Sequence, residues 1–113
     1  MQAALVVPRV MADRKANAAS ILSMAENAVV SGANLILFPE ASLTGLINND
    51  DPEHDLPLGE EIPGLFTDLL SAFCSRHAAW LGIGLLEREN NRLYDSAILI
   101  DPSGAIALKY RRI

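Results

Sequence analysis

A short apolar strand, followed at once by a proline and a glutamate, most constrains the fold of this chain. Leu35 to Phe38 has no polar alternation, which is typical of a strand buried on both faces of a parallel sheet. Pro39 has no N–H to donate to a ladder, so we expect the strand to end there. Glu40 then lies just beyond the carboxyl end of a buried strand, where open α/β sheets bind ligands. The stretch therefore admits a functional carboxylate, but taken alone it favours the alternative of a solvated turn residue.

The residues before this strand predict a βαβ unit. An opening strand is predicted over Ala3–Val7, and a helix follows, from a cap at Asp13 to a terminating Gly32. Asn17 lies largely off the apolar face of that helix. The face itself consists of Ala18, Ile21, Leu22, Ala25, Ala28 and Val29. Strand, helix and strand in this order predict two parallel neighbours.

The second half predicts a helix and a three-stranded meander. The helix is predicted over Leu65–His77, with an apolar stripe of Phe66, Leu69, Leu70 and Phe73. Three strands are predicted over Trp80–Leu86, which Glu87 ends, Leu93–Ile100 and Ala105–Arg111. Turn residues at 90–91 and 101–104 connect them closely enough for antiparallel pairing. The whole pattern is that of an α/β protein with a mixed sheet.

Two further features admit a metal or catalytic interpretation, which we consider the weaker one in each case. The acidic segment Ile47–Ile62 could bind a cation, but its carboxylates lack the spacing of a metal loop, which favours a solvated loop. Cys74 and His77 share a helix face and could form a catalytic pair or half a metal site. Buried free cysteine is common and no further ligands follow, so we assign Cys74 a structural role. The sequence predicts no metal and no cofactor.

The composition limits the classes of partner and the compartment that we expect for this chain. The chain has 113 residues, enough for one small domain, and a formal net charge of -5, which argues against a nucleic-acid partner. One cysteine excludes an internal disulfide and is typical of a cytoplasmic protein. No apolar run approaches the ~20 residues that a membrane helix needs, and the N-terminus lacks a signal core. We therefore expect a cytoplasmic protein without a membrane partner.

Motifs along the whole chain resemble the N-terminal portion of the nitrilase superfamily of carbon–nitrogen hydrolases. The first is Phe38-Pro39-Glu40, followed by Leu43-Thr44-Gly45. The others are, in order, Pro63-Gly64, Gly84-Leu85-Leu86-Glu87, Tyr94-Asp95-Ser96-Ala97, Asp101-Pro102-Ser103-Gly104 and Lys109-Tyr110-Arg111-Arg112. Each motif is weak alone, but their order and spacing make chance a poor explanation. The resemblance implies part of an α-β-β-α sandwich, a mixed sheet with helices on one face, and residues 1–113 as a single, incomplete domain.

The resemblance also implies a Glu–Lys–Cys catalytic set. Glu40 falls on the family's glutamate, the general base for the cysteine. Arg112 occupies the position of the lysine, and it keeps the charge but presents a planar fork. Lys109 lies three residues earlier, on the opposite side of a strand. The family's nucleophilic cysteine would lie beyond the last residue of this chain, and the family usually has asparagine at the position of Asp95.

In function, the resemblance implies hydrolysis of a non-peptide C–N bond in a small-molecule amide, nitrile or N-carbamoyl substrate by the complete protein. We expect the chain alone to be inactive and to form a homo-oligomer. The alternatives are a non-catalytic α/β module that self-associates, and a small doubly wound domain that binds an unrelated ligand. For the half-site present here, we expect Glu40 to be at least partly buried and close to Arg111 or Arg112.

Overall fold

The computed structural model describes residues 1–112, which form one mixed sheet with helices packed on it. The strands are β1 (Ala3–Leu5), β2 (Leu35–Leu37), β3 (Trp80–Glu89), β4 (Arg92–Ile100) and β5 (Ile106–Arg111). The helices are α1 (Arg14–Val30), α2 (Pro52–Asp55) and α3 (Leu65–His77), with a 3-10 turn at Leu56–Leu58. The spatial order is β1-β2-β3-β4-β5. The first three strands are parallel and the last three antiparallel, which confirms the predicted βαβ unit and meander.

The predicted helix signals act where the sequence places them. The Asp13 carboxylate accepts hydrogen bonds from the backbone N–H groups of Lys15 and Ala16 and so caps α1. Gly32 follows the end of that helix with φ of 102°, a left-handed conformation that glycine adopts without steric cost. The bounds of α3 are those predicted from the sequence. Within residues 1–112, no helix combines the length and apolar character needed to cross a membrane.

The core lies between one face of the sheet and the two long helices. Leu81, Ile83 and Leu85 alternate along β3 and are buried against this layer. The helices contribute Ile21 and Ala25 from α1 and Leu70 and Phe73 from α3. The opposite face of the sheet carries apolar side chains that residues 1–112 leave open, including Leu108 at 60% exposure and Tyr110 at 62%. Helices on one face alone are the arrangement expected from the sequence.

Several boundaries differ from those predicted. β1 ends at Leu5 and β2 at Leu37, each before the residue expected, and a proline follows closely in both cases. Leu69 was expected in the stripe of α3 but is 51% exposed, so the stripe is narrower. The acidic segment contains α2 and the 3-10 turn. There the Asp55 carboxylate accepts hydrogen bonds from the backbone N–H groups of Asn49 and Asp50, which stabilise the segment locally.

The largest correction concerns Glu87. It does not end β3, which continues to Glu89, and its side chain is only 1% exposed. A glutamate can occupy a buried strand position when donors from neighbouring strands satisfy its oxygens. Such donors are present on β4 and β5.

Candidate active site

A tight turn after β2 presents Glu40, and backbone hydrogen bonds fasten that turn to β3. The Gly84 N–H donates to the Pro39 carbonyl (3.2 Å), and the Ser42 N–H donates to the Gly84 carbonyl (3.0 Å). Inside the turn, the Ser42 hydroxyl donates to the Pro39 carbonyl (2.6 Å). Ala41 takes a left-handed conformation with φ of 50°. Glu40 is therefore held on a backbone with little freedom to move.

Asn17 ties the same turn to α1. Its side-chain amide donates to the carbonyls of Leu43 (2.8 Å) and Met11 (2.7 Å), and its carbonyl accepts the Met11 N–H (2.8 Å). The residue is 2% exposed, so the prediction that it lies off the buried face was wrong. The signal was present in the sequence, because Asn17, Ile21 and Ala25 recur every four residues along one face of the helix.

The Glu40 side chain forms an ion pair with Arg112 across the ends of β2 and β5. Arg112 Nη1 lies 2.9 Å from Glu40 Oε2 and 3.5 Å from Asp95 Oδ2. The Arg112 N–H donates to the Asp95 carbonyl (2.8 Å), which extends the β4–β5 pairing to this point. The expected neighbour is thus present and is Arg112. The Glu40 side chain is 41% exposed, so it is more exposed than we expected for a residue at the end of a buried strand.

These three charged groups lie at one end of a cavity on the open face of the sheet. The cavity has a volume of about 530 Å³. Its remaining walls are mostly apolar and include Leu99, Leu108 and Tyr110. A mostly apolar concavity with a few convergent polar groups is the usual form of a small-molecule site.

Glu87 organises a second charged cluster on the other face of the same strands. Its carboxylate accepts hydrogen bonds from Ser96 Oγ (2.7 Å), Lys109 Nζ (2.6 Å) and Arg111 Nε (3.0 Å). Burial by itself raises the pKa of this carboxyl group, but the hydrogen bonds from Arg111, Lys109 and Ser96 outweigh it and lower the pKa to about 2. The carboxylate therefore remains charged and fully paired.

The Glu87 cluster determines which basic residue reaches Glu40. Side chains on a strand alternate between faces, so Lys109 and Arg111 share the helix side of β5 and Arg112 lies on the open side. Bringing Lys109 to the open face would require breaking its ion pair with Glu87. The structure therefore places an arginine, and not Lys109, beside Glu40.

Comparison with known proteins shows which family this chain belongs to. The sequence model of the carbon-nitrogen hydrolase family matches residues 2–113. The chain belongs to the carbon-nitrogen hydrolase family. This confirms the resemblance to the nitrilase superfamily inferred from the motifs.

A relative agrees with that assignment, and solved structures share the fold. A formamidase of Bacillus cereus (strain Q1) is 34% identical over 84 residues, 73% of this chain and 25% of the relative. A carbon-nitrogen hydrolase from Helicobacter pylori G27 superimposes with a TM-score of 0.85 at 21% identity, over 98% of this chain and 39% of that one. An amidase from Nesterenkonia sp. gives a TM-score of 0.76 at 20% identity, over 100% of this chain and 43% of the other. The chain thus spans about a quarter of the formamidase and about two fifths of these two structural neighbours.

Cys74 of this carbon-nitrogen hydrolase chain is remote from the charged site. It is fully buried in α3, on the helix side of the sheet, whereas Glu40 and Arg112 lie at the open face. Burial, with a smaller contribution from the charge of Asp101, raises the pKa of its thiol to about 11. Among residues 1–112, no cluster of three or more potential metal-ligating side chains is present.

We expect Cys74 to resist alkylation in the folded chain. A rise in pKa from 9.0 to about 11 lowers the thiolate fraction on the order of 100-fold, and burial adds a steric barrier. Iodoacetamide labelling at neutral pH, followed by mass spectrometry, measures the rate. The same chain in denaturant is the control and should react at the rate of a free thiol. Equal rates in both samples would contradict the structural role assigned to Cys74.

Proposed function

We propose that this chain is part of a hydrolase that cleaves a non-peptide C–N bond in a small amide, nitrile or N-carbamoyl compound. Glu40 acts as the general base, and Arg112 provides the fixed positive charge. The observation that carries the proposal is the Glu40–Arg112 ion pair of 2.9 Å at one end of an apolar cavity. The related formamidase makes a short aliphatic amide the first substrate to test.

The chemistry proposed is covalent catalysis by a cysteine. Glu40 accepts the thiol proton as sulfur attacks the carbonyl carbon, and the positive charge of Arg112 offsets the oxyanion that forms. The C–N bond then breaks, the amine leaves with a proton, and water hydrolyses the thioester to release the acid. Cys74 is the one cysteine in these 113 residues and lies in the core, so we propose that the nucleophile comes from outside them.

A second candidate function has its own support. Leu5, Leu108 and Tyr110 are 79%, 60% and 62% exposed on the sheet, and apolar surface of this kind favours association. The chain could therefore act as a non-catalytic module that self-associates. Under either candidate we propose a homo-oligomer in the cytoplasm, without nucleic-acid or membrane partners; the net charge of -5 and the single buried thiol support this.

The first experiment assays the 113-residue chain itself. We expect no turnover of formamide, longer aliphatic amides or nitriles, because the proposed mechanism requires a nucleophile that this chain does not place near Glu40. Light scattering on the same sample should show a dimer or a larger species. A monomer that hydrolyses amides would contradict both expectations.

The second experiment uses a complete protein that contains residues 1–113. Glu40→Gln should reduce kcat/KM for its best amide by roughly 10³-fold, since a positioned base contributes about 10² to 10⁴. Glu53→Gln, in the exposed acidic segment, is the matched control and should leave the rate unchanged. Full activity of the Glu40 variant would exclude it as the base, and no activity in any complete form would favour the non-catalytic module.

A further inference from the structure

Two carboxylates share one guanidinium nitrogen in the candidate site. Arg112 Nη1 lies 2.9 Å from Glu40 Oε2 and 3.5 Å from Asp95 Oδ2. The two acids come from the end of β2 and the middle of β4. The pairing of Arg112 with the Asp95 backbone holds all three groups together. The Asp95 side chain is the most enclosed of the three, at 22% exposure.

One positive charge does not neutralise two negative ones, and the other described residues of the chain, 1–112, supply no second positive charge at this site. The residue of β3 paired with Asp95 is Leu86, which is apolar and buried. The cations Lys109 and Arg111 face Glu87 on the opposite side of the sheet. Within residues 1–112, Arg112 is the one basic side chain in ion-pair contact with Asp95. Two carboxylates brought together in this way favour the uptake of one proton.

We propose that Asp95 is a positioning residue that retains a proton and donates it in a hydrogen bond to Glu40, so that the two acids hold one proton between them beside Arg112. Burial raises the pKa of Asp95 first, and the hydrogen bond with Glu40 and the charge of Glu40 raise it further, while Arg112 acts in the opposite direction. Glu40 then keeps its ion pair with Arg112, and Asp95 fixes the orientation of the Glu40 carboxylate.

This inference deepens the proposed function, since it assigns a residue that orients the proposed base. It also makes the site sensitive to pH. When Asp95 loses its proton, the hydrogen bond is replaced by repulsion between two carboxylates. An asparagine at position 95 would donate the same hydrogen bond at every pH.

Thermal unfolding of the 113-residue chain gives the first test. The pKa of Asp95 is higher in the folded chain than in the unfolded chain, so the protonated carboxyl group stabilises the fold at pH values below 3.8, the ordinary pKa of aspartate. This stability is lost as pH rises through the folded-state pKa. Asp95→Asn should therefore raise Tm at neutral pH, and the gain should vanish in acid. Asp101→Asn is the control of opposite sign, because a hydrogen bond from Ser103 lowers the pKa of Asp101, and that variant should lose stability at neutral pH.

Carbon-13 NMR of the Asp95 carboxyl group gives the second test and does not depend on turnover. We expect a titration midpoint above 3.8 in the unmodified chain, a lower midpoint in Glu40→Gln and a higher one in Arg112→Gln. A midpoint at or below 3.8, or one that Glu40→Gln leaves unmoved, would overturn the proposal. Because no hydrolysis is measured, an inactive protein with the expected shifts would refute the proposed function alone.

Discussion

Glu87→Gln should destabilise the fold by about 3 kcal/mol, the size of loss typical when one partner of a buried ion pair is removed. The carboxylate is 1% exposed and has hydrogen bonds from Ser96, Lys109 and Arg111. Glutamine keeps the shape of the side chain but removes the charge and one acceptor. Two cations on β5 would then lose the anion on which both converge.

The pH dependence of this loss has a defined sign. The pKa of Glu87 is lowered from 4.5 to about 2, so its contribution is present above 4.5 and is lost as pH falls through about 2. Denaturant unfolding of both chains should therefore show the full difference at neutral pH and a shrinking one in acid. Glu89→Gln removes the exposed carboxylate that also pairs with Arg111. This variant should lower the free energy of unfolding by less than about 1 kcal/mol. Equal losses of unfolding free energy in the two variants would show that the burial of Glu87 does not account for its contribution to stability.

Gly84→Ala should displace Glu40 and cost about 2 kcal/mol, within the range for overpacking a well-packed site. A methyl group at this position would lie 2.6 Å from Glu40 Cα and 3.0 Å from the Pro39 carbonyl oxygen. Both are backbone atoms, so no side-chain rotation relieves the clash. The turn after β2 would have to move away from β3, and the Glu40–Arg112 ion pair would lengthen.

Gly82→Ala is the matched control, two residues earlier on the same face of β3. Its methyl group would meet the end of the Leu37 side chain at 2.7 Å, which can change rotamer, and the next atom, the Ile98 carbonyl oxygen, lies at 3.8 Å. We expect a smaller loss of unfolding free energy and unchanged amide NMR shifts at Glu40. If the two variants show the same loss of unfolding free energy and the same amide shifts at Glu40, the close approach of the turn to Gly84 does not determine the position of the turn.

Both substitutions act on the site indirectly. Gly84 determines where the Glu40 backbone lies, and Glu87 determines which side chains of β5 face the helices. Neither residue contributes a reacting group to the site. In a complete enzyme, each variant should therefore impair activity by misplacing Glu40 or Arg112.

Local sequence was sufficient for most of the elements and for the position of Glu40. The apolar run before Pro39, the cap at Asp13 and the turn residues at 101–104 are short-range signals, and their outcome depends on neighbours in the chain. They predicted two parallel strands, a meander and a carboxylate at a strand end. The alternation of side chains along a strand also predicted that Lys109 and Arg112 face opposite ways.

The tertiary structure decided what depends on partners distant in the sequence. Glu87 was expected to end its strand, but donors 9, 22 and 24 residues away satisfy it inside the sheet. The amide of Asn17 is buried because Leu43, 26 residues later, offers it a carbonyl. Arg112 reaches Glu40 across 72 residues. A polar side chain lies in the interior or at the surface according to the partners the fold brings to it, because an unpaired polar group is costly to bury, and no local pattern specifies those partners.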